Sequence, residues 1–321
     1  MTGTMLAAVA NVVRAELFKG FRKRRFYFLA GLYWVLLPAV ALITATVLDH
    51  NLGGSFADQG GQIAQALQGF ASPFGLARLA LMAPALMSPT GYIIAVALFA
   101  GLFIGEERTQ RMWKTVFSVQ PARMAVLTGK VIAGMIVLAV LLGGALIVGT
   151  LAGVLGTLFL PTTFAGPWGQ VAGLFGLQWL QLLAALLLAY LLVFLVRSGT
   201  LGIILVIFLP ALLEGLYTVL NTLSVLRPLT RYNAVFQALR LRQAWQALPH
   251  YFFNANLYAP ARHLLQPFLQ STGTPQGADL GPLGNLLGQG ITLPHAAAVM
   301  AGYAVVFAAA TAWLVARRDV E

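Results

Sequence analysis

Glu214 is the only carboxylate within an apolar run long enough to cross a membrane. A charge at bilayer depth is costly and usually faces a bundle interior or a water-filled cavity. Counted from Gly199, it lies about 22 Å along a helix, roughly 8 Å short of the far edge of a ~30 Å hydrocarbon layer. One reading makes it a polar group at the outer part of a translocation path. The other lets it reach the outer surface or pair with a basic residue such as Arg227. Gln178 and Gln181 lie in the preceding run and can hydrogen-bond between helices, as packing glue rather than as ligands. Covalent or metal chemistry has no support. Cysteine is absent, which removes disulfides, thiolate metal sites and a cysteine nucleophile. The four histidines (50, 250, 263 and 295) are scattered, and neither H-E-x-x-H nor G-x-S-x-G occurs. No metal site is expected.

The other chemically patterned stretch is GEERTQRMWKTVFSVQPARMAVLTGK, residues 105–130, which carries seven charged residues between two apolar runs. Written as a helix over 106–119, it places Met112, Trp113, Val116 and Phe117 on one stripe. Glu106 and Glu107 fall in the first turn, where the helix dipole favours negative charge. Glu107 and Arg111 form an i,i+4 pair. Pro121 ends the helix, because the residue before a proline avoids the α region. Arg123 and Lys130 follow as the chain re-enters the apolar region. The stripe either rests on the lipid interface, where Trp is favoured, or docks into a cleft on a soluble partner, where Trp and Arg are the usual anchors.

These residues are positioned by a chain of membrane character. It is 59% hydrophobic and 9% charged, with a mean hydropathy of +0.82, whereas soluble domains carry about 25% charged residues. The expected fold is all-α: a polytopic membrane protein in one transmembrane domain, residues 1–321. Six spans are predicted, at 26–48, 87–104, 131–160, 171–196, 199–220 and 295–316. The second is short and begins near Leu81 if Pro84 and Pro89 bend its entry. The third is long enough to be tilted or to continue past the bilayer. The first reads as an uncleaved span, since its apolar core exceeds the roughly 7–15 residues of a cleaved signal.

Fourteen of the 20 Lys and Arg fall on one side of this arrangement. By the positive-inside rule that side is cytoplasmic and both termini lie there. The net charge of +11 therefore reflects topology, and no nucleic-acid partner is expected. Residues 105–130 form a cytoplasmic loop and residues 221–294 a long outer loop. In that outer loop Tyr232, Val235, Phe236, Leu239 and Trp245 follow helical spacing, as in a helix on the outer surface or capping the bundle. Residues 271–290 read as a linker and 49–72 as loop. Over residues 1–25 an amphipathic segment, with Leu6, Val9, Val13, Leu17 and Phe21 on one stripe, predicts a cytoplasmic interfacial helix suited to anionic lipid. A straight extension of the first span is the alternative. Gly149 and Gly153 form a G-x-x-x-G pair, with Gly143, Gly144 and Gly156 nearby, which allows close helix contact.

This order of features resembles the permease subunit of a type-2 ABC exporter. The basic segment RAELFKGFRKRR (14–25) is similar to that family's N-terminal interfacial helix. Within EERTQRMWKTVFSVQPARMAVLTGK (106–130), Pro121 and Arg123 match its Pro-x-Arg, and Gly129 and Lys130 its Gly-Lys. The turn VRSGTLGI (196–203) is also similar, while Arg111 and Met112 replace the family's usual Gly-Thr. The resemblance implies a six-helix half-transporter in a bacterial cytoplasmic (inner) membrane. It implies pairing with a second permease half, the same chain or a related one. It also implies coupling to a separate ABC ATPase through Glu106, Glu107, Arg111, Met112, Trp113, Val116, Phe117, Pro121 and Arg123. The chain has no Walker A loop: Gly129-Lys130 is followed by Val131, and Met124 stands where the first glycine would be. No cofactor is expected on the chain itself, ATP and Mg being held by the partner, so the chain is expected not to be an enzyme. An ion-coupled secondary transporter, an intramembrane enzyme and a membrane anchor or assembly protein are the competing classes. The first usually needs more ionisable groups near the midplane than Glu214 supplies, and the second lacks a catalytic constellation.

Overall fold

A computed structural model describes residues 2–52, 69–82, 91–101, 122–160, 162–225, 241–264 and 290–317. Every regular element among them is helical. The order is α1 (Thr2–Arg22), α2 (Arg24–Leu52), α3 (Pro73–Leu81), α4 (Gly91–Ala100), α5 (Arg123–Gly156), α6 (Trp168–Val196), α7 (Gly199–Val225), α8 (Leu241–Ala247), α9 (Phe253–Leu257) and α10 (Leu293–Arg317). Among the described residues five stretches are long and apolar enough to cross a membrane: Arg24–Val47, Arg123–Gly156, Trp168–Val196, Gly199–Asn221 and Leu293–Arg317. They correspond to five of the six expected spans. Of the remaining one, 87–104, the described part is α4 and Gly101.

The central helix is α6. Residues 181–190 are buried without interruption, as expected for a helix that is apolar all round rather than on one stripe. Around it pack α10, α7, α5 and α4. Trp179 donates its indole N–H to the Met135 carbonyl at 3.0 Å, and the Tyr190 hydroxyl donates to the Lys130 carbonyl at 3.2 Å. Rising numbers on α5 thus meet falling numbers on α6, so the two are antiparallel. Helix α2 runs parallel to α5: the Trp34 indole donates to the Leu141 carbonyl at 2.8 Å, and Leu42 approaches Gly156. Between α6 and α7 the chain reverses at Arg197, which adopts φ 60, and Ser198, whose hydroxyl accepts the Leu201 N–H at 3.3 Å. Gly101 lies against Ile203, near the start of α7, so α4 ends where α7 begins. At the opposite end His295, near the start of α10, meets the His250 carbonyl at 2.9 Å. The helix ends bearing α1, Lys130 and Arg197 are called the basic end below, and the other the far end.

Helix α3 is an addition to the sequence expectation, which has no helix between residue 48 and the entry of the second span near Leu81. Ser72 caps it, accepting the Gly75 N–H at 3.0 Å, and Pro73 occupies its first turn. It packs into the glycine face of α5. A Cβ on Gly149 would lie 2.6 Å from the Ala80 Cβ, and one on Gly153 would overlap the Pro73 Cα. The G-x-x-x-G pair therefore serves contact within the chain.

Helix α5 begins at Arg123. Residues 123–130, expected to be the end of the cytoplasmic loop, are its first two turns. At about 51 Å it is longer than the ~30 Å hydrocarbon layer, which suits either a tilted span or one that continues past the layer. Helix α1 is separated from α2 by Lys23 and packs mainly on α5, so it is a distinct element rather than the leading part of α2.

Candidate functional site

Two polar constellations are built into this apolar bundle, one at each end. At the basic end, Lys130 is 3% exposed and Glu16 is 8% exposed. The Lys130 ammonium donates to Glu16 Oε1, and Lys19 donates to Glu16 Oε2 at 3.1 Å. Their meeting depends on Gly129, where a Cβ would stand 2.7 Å from the Val12 Cβ and 3.2 Å from the Val9 carbonyl. Only a residue without a side chain lets α1 cross α5 this closely. The Lys130 carbonyl in turn accepts the Tyr190 hydroxyl. One ion pair and its flanking bonds thus join α1, α5 and α6. Buried charges survive when paired and further hydrogen-bonded, and this pair has both supports.

At the far end the chain after α8 turns inward. A 3-10 turn, Leu248–Tyr251, leads into α9, and a helical run at 259–264 follows. Residues 253–262 are all buried, an unusual stretch for a connection between spans. It carries Asn254, Asn256, Tyr258 and Arg262 into the bundle. The Gln181 amide donates to the Asn256 carbonyl at 2.9 Å. The Asn256 side-chain amide donates to the carbonyls of His250 and Phe252, both at 2.8 Å. The Glu214 carboxylate, half-buried on α7, accepts the Asn254 backbone N–H at 2.7 Å. Gln181 and Glu214 stand equally far in sequence from the α6–α7 reversal, so they reach the same depth and hold the inserted segment from two helices. Burial lowers the Arg262 guanidinium to about 10, and Tyr258 is pushed up by burial and by the Glu214 charge.

The far-end set is dominated by neutral amides. Gln178 is fully buried, and neither of its amide atoms finds a partner among the described residues. The side-chain oxygens of Gln181, Asn254 and Asn256 are likewise buried and unpaired. A buried polar atom left unpaired costs about 1–3 kcal/mol, so this cluster is costly to keep closed. It offers hydrogen-bond acceptors and one carboxylate. No group of three or more His, Cys, Asp or Glu side chains that could hold a metal occurs among the described residues.

Of the sequence-derived site residues, Gln178, Gln181 and Glu214 belong to the far-end set. Gln181 does bond to another element, the inserted segment rather than a span. Gln178 bonds to none among the described residues. Glu214 meets the Asn254 amide, while Arg227 lies outside the described residues. Arg123 is the first residue of α5 and half-buried. Glu106, Glu107, Arg111, Met112, Trp113, Val116, Phe117 and Pro121 lie outside the described residues, as do Tyr232, Val235, Phe236 and Leu239. Sequence reasoning missed Asn254, Asn256 and the Glu16–Lys130 pair. A faint signal existed for each: two asparagines in FNANLYAPAR, and a single acidic residue within RAELFKGFRKRR. No protein-family model, curated protein or solved structure matches this chain.

Proposed function

We propose that the chain is the membrane-spanning permease subunit of an ATP-driven exporter. In this reading it crosses a bacterial cytoplasmic membrane six times, with α4 in the second crossing and both termini in the cytoplasm. It works as a dimer with itself or a related chain. A separate ABC ATPase, holding ATP and Mg, grips residues 105–130 through the stripe of Met112, Trp113, Val116 and Phe117. The observation that carries this reading is the buried Glu16–Lys130 pair. It stands at the end of the second turn of α5, where the charged segment ends, and ties α1, α5 and α6 into one body. A pull on 105–130 is thereby delivered to several helices at once instead of bending a single helix end. The partner must bind the two permease conformations unequally, because equal contacts shift no equilibrium. The chain itself performs no hydrolysis in this scheme. Its work is to convert the partner's closure into movement of α5 and the second crossing, opening a path that Glu214, Gln178 and Gln181 line toward the far end.

Co-purification with an ABC ATPase encoded beside this chain's gene tests this. Trp113→Ala combined with Glu107→Lys is expected to abolish ATPase association or ATP-driven transport while insertion in the membrane stays normal. A doubly altered protein that pairs and transports like the wild type refutes the docking role.

A second reading, an ion-coupled secondary transporter, is favoured by one observation: the Glu214 carboxylate on α7 accepts a backbone N–H from a buried inserted segment that carries unpaired amide oxygens among the described residues. Transport that collapses with an uncoupler while ATP is maintained supports this reading over the first.

A further inference from the structure

The stripe of α1 beside the ion-pair joint forms the wall of an open groove of about 700 Å³, within the ~300–1,000 Å³ range of small-molecule sites. Leu6, Val13, Leu17 and Phe21 line it from α1, and Ile132 lines it from α5. From Leu6 to Phe21 the wall extends about 22 Å along the helix. One residue breaks the apolar pattern. Arg14 is exposed and lines the groove between Ala10 and Phe18, one helical turn from each. It makes no ion pair with a described residue. Arg22, also exposed, folds back one turn so that its guanidinium lies 5.8 Å from the centre of the Phe18 ring, and Phe18 is a lining residue. One guanidinium therefore stands on the groove wall and a second lies against one of its lining rings. The only acidic residue of α1, Glu16, is turned away into the joint with Lys130.

We propose that this groove is a binding site for an anionic phospholipid, with one acyl chain laid along α1 against Ile132 and the headgroup phosphate held by Arg14 and Arg22. The charge argument selects the occupant. An apolar trough alone would take any lipid tail, but guanidiniums at its rim recognise a phosphate that carries uncompensated negative charge. A zwitterionic headgroup presents its own ammonium to the same rim. The level also fits, since α1 meets the first turns of the over-long α5, where the helix leaves the hydrocarbon for the headgroup layer. The site does not depend on the exporter reading, and its failure would leave that reading untouched.

The test uses the full-length protein in detergent micelles and a phosphatidylglycerol bearing a photoactivatable group on one acyl chain. The expected result is crosslinking confined to residues 6–21 and Ile132. Unlabelled phosphatidylglycerol should compete at a concentration about ten-fold or more below that needed for phosphatidylcholine, since each arginine near an anionic surface contributes roughly five-fold. Free glycerol phosphate should not compete, because it has no chain to bury. R14Q with R22Q should abolish the headgroup preference while crosslinking persists, and A10W, at an exposed position, should fill the trough and remove crosslinking from a protein of unchanged helicity. Equal competition by the two lipids overturns the proposal, as does competition by glycerol phosphate or label elsewhere on the chain. Crosslinking of α1 to α1 of a second copy, in place of lipid, overturns it equally.

Discussion

Lys130→Met is the sharpest test of the joint between α1 and α5. Lys130 is 3% exposed, so its ammonium is held by protein groups and not by water. Removing it strands the Glu16 carboxylate, which keeps only Lys19 at 3.1 Å, a partner whose own side chain is 34% exposed. Breaking a buried pair by deleting one partner costs about 3–5 kcal/mol. The surviving contact to Lys19 places the loss at the lower end, about 3 kcal/mol. Glu16→Leu leaves Lys130 without its carboxylate and should cost at least as much. The double variant E16L/K130M fills the same space with apolar groups, and such replacements are often neutral or stabilising. It should lie within about 1.5 kcal/mol of the wild type, giving a coupling energy of about 4.5 kcal/mol or more. Lys19→Ala, which removes only the half-exposed partner, should cost about 0–1 kcal/mol. Amide hydrogen exchange across α1 reads this directly. In K130M the exchange of residues 9–20 should accelerate about a hundred-fold, since each 1.4 kcal/mol is a factor of ten, and in the double variant it should return close to the wild-type rate. Additive effects of the two single substitutions would refute the argument, because independent residues add and paired ones do not.

Gly153→Leu should separate α3 from α5, since even a Cβ there overlaps Pro73. The loss should be about 1–3 kcal/mol or more in thermal stability, while Gly143→Leu, with nothing within 4 Å of its Cβ position, should leave the melting temperature nearly unchanged. Glu214→Gln keeps an acceptor for the Asn254 N–H and should hold residues 252–264 in place. Glu214→Leu leaves that buried N–H unpaired at a cost of about 1–3 kcal/mol, which limited proteolysis of the 241–264 region should detect. A membrane-impermeant amine reagent applied to intact cells should leave Lys114 unlabelled and should label it after permeabilisation; labelling in intact cells would place the 105–130 segment on the outer face.

The legible parts of this fold are those whose signal is local. Long apolar runs define α2, α5, α6, α7 and α10, because a helix that spans lipid must be apolar along its whole length. The reversal at Arg197 and Ser198 shows as the one polar interruption between two such runs. Helix α3 was missed because it is only nine residues long and follows a glycine-rich segment. Its Ser72-Pro73 start is nevertheless a standard cap signal. The inserted segment at 252–264 was missed for a different reason. Its asparagines read as loop residues until the glutamine and glutamate that face them from α6 and α7 are known. The Glu16–Lys130 pair joins residues far apart in the chain, and no periodicity in either segment specifies which partner a lysine will meet. The glycine pattern shows the intermediate case. Gly149 and Gly153 announce a close contact, but only the structure assigns α3 as the helix that fills it.

The two polar constellations differ in what it costs to open them, and that difference places the moving part. Separating α1 from α5 breaks a buried ion pair and exposes charges that the apolar surroundings cannot solvate, at about 3–5 kcal/mol. Separating the inserted segment from α6 and α7 breaks the Gln181–Asn256 and Glu214–Asn254 hydrogen bonds, each worth about 0.5–1.5 kcal/mol to a neutral group and about 1.5–3 to a charged one. Against that loss stand Gln178 and three further amide oxygens that find no partner among the described residues when the segment is seated. Water or a polar solute entering there would supply partners these groups lack, recovering part of the cost of opening. No such compensation exists at the basic end, where Glu16 and Lys130 already satisfy each other. A conformational change in this chain should therefore keep α1, α5 and α6 together near Lys130 and yield at the far end, with residues 252–264 as the element that shifts.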